Sequence, residues 1–351
     1  MIAYRIHLFL AFFYLSLSGA QGHAAESIFK IPYQNEITEI NPLNLRSASC
    51  SYIHHALFRN LLWIDEKNTL QSDLAEKCQW KKSKTLRCKI KKGLKWSTGA
   101  ALTGKDFLQT YEFLLNPKSQ FTRKEMLFSI ANARSFASGE LSDFEKVGIK
   151  LIDLHTLEFE LAELDPEFEY KLALPMTAPV RQKNFNIQSP IISSGPYRIK
   201  SINLKSLEIN LESNPFFYKK SPRPDLRFIY ISDDSIQIPL FSKKEIDLVR
   251  RVPTSQIPKF RSEKTFRGIE VLRFDYFGFN LEKIDKATRQ ALADVIDYSE
   301  LQKLFNSIGR PGCFDFSDQA LDKPICYDTK KTKQGIGLKN FFIFLVYVME
   351  G

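Results

Sequence analysis

Two cysteines, Cys78 and Cys88, do most to limit how this chain can fold. Between them runs QWKKSKTLR. Trp80, Leu86 and Ile90 predict two short strands about a Lys/Ser turn. A cross-strand disulfide closes such a hairpin where the two Cα atoms lie about 5.5 Å apart. A second pair, Cys313 and Cys326, brackets a loop containing Pro311, Gly312 and Pro324, and Cys50 is left over. No C-x-x-C occurs and no histidine neighbours either pair, which argues against a metal site.

Whether those thiols oxidise depends on the compartment, and the N-terminus speaks to that. Met1–Arg5 carries one positive charge, Ile6–Leu17 is almost continuously apolar, and SLSGAQGHAAES follows. This is the layout of a secretory signal peptide over residues 1–25, with cleavage after Ala20 or Ala25. The apolar run falls short of the roughly 20 residues that a permanent span needs. An uncleaved membrane anchor is the alternative. No cysteine follows the run directly, which argues against a lipid-anchored mature end. The expected location is therefore the periplasm.

The length of 351 residues corresponds to roughly two domains. The net charge of +10 comes from 50 Lys and Arg against 40 Asp and Glu. The basic residues are spread along the chain without a stripe, which reads as a solvated surface and not as a nucleic-acid partner.

The stretch GLKWSTGAALTGKDF at 93–107 is one letter short of a phosphate-binding loop. Asp106 stands where that loop needs a hydroxyl for Mg²⁺, and a carboxylate there repels phosphate. The preceding KIKKGLKW is basic and alternating, unlike the apolar parallel strand that feeds such loops. The better reading is a helix start, with Thr103 as N-cap and Asp106 closing a capping box. Leu108, Tyr111 and Leu115 then form an apolar stripe, and Asn116-Pro117 ends the helix.

Elsewhere the periodicity predicts a first strand at Ile28–Ile31, broken by Asn41-Pro42, and a helix with Tyr52, Ala56, Leu57 and Leu61 on one face. His54 and His55 point about 100° apart on that helix, which reads as a packed or solvated pair and not a chelate. Residues 149–161 alternate as a hairpin turning at Asp153–Thr156. YKLALPMTAPV is expected to pack beneath it. Further strands are expected at 195–202, 206–212 and 225–231. IPLFSKKEIDLVR reads as a short helix running into a strand. A strand ending in aromatics follows at 270–283. A long helix then carries Ala287, Ala291, Ile296, Leu301 and Leu304.

The order of these motifs resembles the family 5 solute-binding proteins of ABC importers, which carry oligopeptides, dipeptides, nickel chelates and some sugars. SDLAEKCQW…LRCKIKKGLKWSTGAALTGKDFLQTYEFLLNP resembles the family's hairpin, KG-x-K-W/F-S-D-G turn and LTA-x-D helix start. SSGPYRI resembles GTGPY, ESNPFFY resembles xxNPxYW, and FSKKEIDLV resembles LxxGEIDI with Lys244 in place of Gly. FDYFGFNLEKIDKATRQALADVIDYSEL resembles the xxFN…RQAxxxAIDRxxL segment. Together these matches cover about 250 residues.

The resemblance implies an α/β, two-lobe, periplasmic-binding-protein type II-like fold. Lobe I would use 26–58 and 188–275, with an inserted subdomain at 59–187. Lobe II would begin at 276–328 and be incomplete, because the resemblance ends near Tyr327-Asp328. Residues 329–351 are expected to be a non-family tail left by a frame disruption or early stop. A buried C-terminal strand over Asn340–Met349 is the alternative. Such a chain is expected to bind weakly or dissolve poorly.

The implied function is non-enzymatic capture of a peptide or similar small solute, delivered to an ABC permease in the inner membrane by a monomer without cofactor. Candidate ligand residues are Asn35, Asn41, Phe121, Tyr276, Phe277 and Asn280, and no metal ligands are assigned. Ordinary core packing is the alternative for the aromatics, and a backbone-fixing role is the alternative for Asn280. A degenerate relative without transport is one other reading. An exported hydrolase is another, but Ser193-Ser194-Gly195 is not G-x-S-x-G and no H-E-x-x-H occurs. Five histidines argue against a dedicated nickel site.

Overall fold

The computed structural model describes residues 28–34, 40, 48–65, 67, 69–119, 121, 123–181, 191–268, 274–278, 280–295, 300 and 343–347. The chain divides into two compact units that meet in sequence at Arg250 and Arg251.

The first unit opens with β1 (Ile28–Tyr33), α1 (Ala48–Leu57) and the short antiparallel pair β2 (Leu62–Ile64) and β3 (Leu70–Ser72). A four-stranded antiparallel sheet follows. Its strands are β4 (Ala75–Lys82), β5 (Thr85–Ile90), β6 (Ile149–Asp153) and β7 (Thr156–Glu160), in the order β4-β5-β7-β6. The alternation of β5 explains which way it faces. Leu86, Cys88 and Ile90 are buried, while Thr85, Arg87 and Lys89 point the other way. Leu157 and Phe159 of β7 stand opposite Cys88 and Leu86 on the buried side. Cys78 pairs with Cys88 across the hairpin and is joined to it by a disulfide, with the Cα atoms 4.0 Å apart.

Helix α2 (Gly104–Leu115) packs on that buried face. The Thr103 N–H donates to Asp106 Oδ2 at 2.8 Å, so the capping box forms as the sequence predicts. The Trp96 indole N–H donates to Asp106 Oδ1 at 3.2 Å and ties the preceding turn to the cap. The buried stripe is Phe107, Tyr111, Leu114 and Leu115, and Leu108 is only half-buried. Tyr111 and Leu115 are buried as the periodicity predicts, while Phe107 and not the equally apolar Leu108 completes the stripe. The edge-on contact of Tyr111 with Phe159, 5.4 Å between centroids, fixes the actual rotation. Pro117 disfavours helical backbone at Asn116, which leaves the helix with ψ 131°.

Beyond a short helix α3 (Ala133–Ser138) and the β6–β7 hairpin comes α4 (Phe168–Lys171). Phe168 packs edge-on against Phe159. The following YKLALPMTAPV segment, expected beneath the hairpin, is anchored to other elements. The Asn60 amide donates to Leu174 O at 2.5 Å and Thr177 Oγ1 at 3.0 Å, and the Val180 N–H donates to Thr110 Oγ1 at 2.9 Å. It therefore bridges α2 to the end of α1.

The second sheet runs β1-β10-β9-β8, with β8 (Tyr197–Asn203), β9 (Glu208–Ser213) and β10 (Asp225–Tyr230). β1 and β10 are parallel, whereas β10–β9 and β9–β8 are antiparallel. β1 is an edge strand and carries Pro32, as edges permit. α5 (Gln237–Ser242) follows, but the strand expected after it is absent: residues 245–250 have no strand pairing. Instead the Lys30 N–H donates to Asp247 Oδ2 at 2.8 Å and the Asp247 N–H donates to Lys30 O at 3.0 Å. A carboxylate supplies one of the two bonds, so the edge is closed without a ladder.

His54 of α1 is 1% exposed and stacks on Phe58, 4.9 Å between centroids. Its two ring nitrogens have no hydrogen-bond partner among the described residues. Burial, with His55 beside it, pushes its pKa well below the ordinary histidine value. The folded chain therefore refuses a proton that the unfolded chain accepts below pH ~6.5. Stability is full above that pH and falls by about 1.4 kcal/mol per unit as pH drops below it. Urea unfolding at pH 7.5 and 5.5 checks this, and His54→Leu should flatten the slope. Equal slopes in both proteins would mean that His54 is not held neutral.

In the second unit, a short helix α6 (Ile257–Phe260) precedes β11 (Phe274–Gly278) and α7 (Lys286–Val295). Asp285 caps α7, its Oδ1 accepting from the Thr288 N–H at 2.9 Å. Ala287 and Ala291, expected on the apolar face, are exposed, and Ile296, Leu301 and Leu304 lie outside the described residues. β12 (Ile343–Tyr347) falls in the apolar run of the expected tail and pairs in parallel with β11, Phe274 opposite Ile343. Among the described residues no helix is long and apolar enough to cross a membrane.

Candidate functional site

Three of the sequence motifs meet at one joint in the first unit. Gly99 has φ +87°, and a Cβ there would lie 3.1 Å from the Phe216 ring, so both the turn and the contact favour glycine. The Ser97 N–H donates to Ser193 O at 2.8 Å, and the Ser193 N–H returns to Ser97 Oγ at 3.0 Å. The Gly195 N–H donates to Leu57 O at 2.8 Å, seating the SSGP segment on the end of α1. Asn214 Nδ2 donates to Gly195 O at 2.8 Å, and its Oδ1 accepts from the Phe216 N–H at 3.0 Å. These residues weld the β4–β7 sheet to the β1/β8–β10 sheet. They are structural.

A buried ionic cluster reinforces the weld. Asp73 is fully buried between β3 and β4. Its Oδ2 accepts from Arg59 Nε at 2.5 Å and its Oδ1 from the Tyr218 hydroxyl at 2.7 Å, while Lys91 donates to its backbone carbonyl. Burial, then the charge of Asp73, raises the Tyr218 pKa well above the ordinary tyrosine range, so that hydroxyl stays a donor.

A different set of side chains gathers at the carboxyl ends of β1 and β10, where ligands bind in open α/β sheets. Gln34 directly follows β1. Its Oε1 accepts from Arg250 Nη2 at 2.6 Å. The Arg250 guanidinium lies 5.5 Å from the centre of the Tyr52 ring, and the Arg250 N–H donates to Oε1 of the buried Gln237 at 3.2 Å. Gln237 Nε2 donates to Asp234 Oδ1 at 2.6 Å. Tyr33 and Tyr230, adjacent across the parallel pair, meet edge-on at 5.6 Å. Tyr52 is 48% exposed and Arg250 and Gln34 are half-buried, so the group is both fixed and accessible. A guanidinium, an amide and aromatic rings suit a small solute bearing carboxylates or amides.

The residues anticipated from sequence are placed as follows. Asn35 and Asn41 lie outside the described residues. Phe121 is 7% exposed within the hydrophobic core. Tyr276 and Phe277 are on β11. Asn280 is exposed, and its Oδ1 accepts from the Glu282 and Lys283 N–H groups at 3.0 and 3.2 Å, which makes it a turn former. Cys313 and Cys326 lie outside the described residues. Sequence reasoning missed Gln34, Tyr52, Gln237 and Arg250. Gln34 and Arg250 gave no signal but position, at the ends of IPYQ and EIDLVR, and Tyr52 read only as a residue of a helix face.

Residues 69–324 match the family described as Bacterial extracellular solute-binding proteins, family 5 Middle. The chain belongs to this family. Its FSKKEIDLV and SSGPYRI segments can therefore be read as family features with the structural roles given above. The probable deoxycholate-binding periplasmic protein YgiS of Escherichia coli K12 is 26% identical over 78% of this chain and 54% of its own length. The periplasmic oligopeptide-binding protein OppA of Salmonella typhimurium is 24% identical over 65% and 44%. The chain thus spans about half the length of the curated relatives it matches. Among solved structures, Burkholderia pseudomallei OppA superposes with a TM-score of 0.74 at 21% identity, over 82% of this chain and 60% of that one. The pheromone receptor PrgZ gives 0.70 at 21%, over 80% and 58%. The fold is the α/β fold of family 5 binding proteins. These relatives are binding proteins, not enzymes.

Proposed function

We propose that this family member is the capturing component of an ABC importer, working in the periplasm, and that its solute is a peptide or similar small molecule passed to an inner-membrane permease. The observation that carries this is the Gln34, Tyr52 and Arg250 group at the open ends of two parallel strands. Such a group offers hydrogen bonds and charge to a peptide backbone and terminus. The names of the OppA relatives support a peptide. On this reading the β1/β8–β10 sheet belongs to lobe I (26–58 and 188–275), the β4–β7 sheet is the inserted subdomain (59–187), and lobe II begins at 276. Asn35, Asn41, Tyr276 and Phe277 remain proposed ligand contacts.

Calorimetry of the full chain against a short-peptide library is the test. Saturable heat is expected, weakened about tenfold by Arg250→Ala, or about 1.4 kcal/mol. No saturable heat with any peptide would overturn the peptide assignment. Tight binding would instead overturn the expectation, drawn from the sequence, that this chain is a weak binder.

A further inference from the structure

We infer that the welded joint presents a binding surface for anionic phospholipid headgroups, formed by Lys91, Lys95, Lys219, Lys220 and Arg223 around Phe216. The sequence shows no basic stripe because these charges come from two segments more than a hundred residues apart. Folding brings them together. Lys91 Nζ lies 4.8 Å and Lys219 Nζ 5.5 Å from the centre of the Tyr218 ring, Lys95 Nζ lies 5.9 Å from that of Phe216, and the Arg223 guanidinium 5.1 Å from that of Phe217. The rings hold the cations in one place.

The nearby acids are already engaged. Asp73 is buried and bonded to Arg59 and Tyr218, and Glu76 pairs with Lys89 at 2.9 Å. Among the described residues no carboxylate forms an ion pair with any of the five cations named. Burial lowers the Lys91 pKa despite the pull of Asp73 and Glu76, and repulsion from Lys219 and Arg59 adds to it.

The composition favours a membrane over an acidic protein. Lysine is a flexible point charge that tolerates a fluid headgroup layer, whereas a fixed carboxylate pattern is better matched by the arginine fork. Lys95, Lys219 and Lys220 are exposed, and Phe216, 37% exposed at their centre, offers an apolar contact at the interface. This surface is independent of which solute the protein carries.

The test is co-sedimentation of the full chain with phosphatidylcholine vesicles with and without phosphatidylglycerol. Binding only to the anionic vesicles, released by salt, is expected. The triple variant Lys95→Gln, Lys219→Gln, Lys220→Gln should bind about a hundredfold more weakly, roughly fivefold per lysine. Exposed Lys105, Lys118 and Lys146 changed together to Gln remove the same charge elsewhere and should leave binding intact. Equal loss in both variants would reduce the effect to net charge and overturn the proposal. So would salt-insensitive or absent vesicle binding, or retention on immobilised polyglutamate without vesicle binding, which would point to an acidic protein partner. Tryptophan fluorescence verifies that each variant is folded, and salt release of the unaltered chain needs no variant.

Discussion

Asp73→Ala is expected to lower the stability of the first unit by about 3 kcal/mol, the lower end for a broken buried ion pair. The carboxylate is fully buried and meets two donors from distant parts of the chain, Arg59 after α1 and Tyr218 after β9. Alanine would leave both without an acceptor. The Arg59 side chain is 16% exposed, so water recovers part of the loss, which places the estimate at the lower end. Asp73→Asn keeps an acceptor for Tyr218 but removes the charge, and should cost less. Trp63, Trp80 and Trp96 are the chain's only tryptophans and all lie in the first unit, so fluorescence-monitored urea unfolding reports on that unit alone. A double-mutant cycle with Arg59→Ala isolates the pair. A coupling near zero would mean that the pair adds nothing to the joint.

Gly195→Ala is expected to be comparably damaging, by about 3 kcal/mol at the upper end of ordinary overpacking. A Cβ at this position would sit 2.6 Å from Ala56 O and Leu57 C and 2.8 Å from Leu57 O. The obstruction is backbone at the end of a helix, which cannot rotate away as a side chain can. Relief requires α1 to move off the strand, breaking the bond from the Gly195 N–H to Leu57 O. If fluorescence-monitored unfolding places the variant within 0.5 kcal/mol of the parent, α1 is not held against β8.

The parts of this fold that were legible in the sequence are those set by local chemistry. The capping box at Thr103 and Asp106, the alternation of 149–161 and the strands at 197–230 depend on neighbours a few residues away. Those neighbours are visible in the string. The misreadings involve distant partners. On α2, Tyr111 and Leu115 are buried as the periodicity predicts, but Phe107 takes the place of Leu108 because packing on Phe159 decides which face turns inward. The strand expected after α5 is missing because Asp247 closes the edge of β1 with its side chain instead. The candidate site was least legible. Gln34 and Arg250 carry no spacing or pattern, Tyr52 reads only as one of a helix face, and Arg250, three residues after the Asp247 that bonds β1, brings them together. Conversely, the recognisable motifs SSGP, NPFF and KGLKWSTG turned out to build the joint. Close backbone approach restricts residue type more tightly there than solute contact does at the site.

The first strand finds its partner only late in the chain. Lys30 and Asp247, 217 residues apart, close its edge. A ribosome or export channel that delivers the N-terminus first therefore releases a strand with nothing to pair with until β10 and the Asp247 segment have emerged. The β4–β5 hairpin, by contrast, can zip as soon as it appears. The edge of β1 must then close last, after the joint formed by Leu57, Ser97, Gly195 and Asn214 has emerged. Any delay between the two ends leaves an unpaired strand open to chaperones and to aggregation.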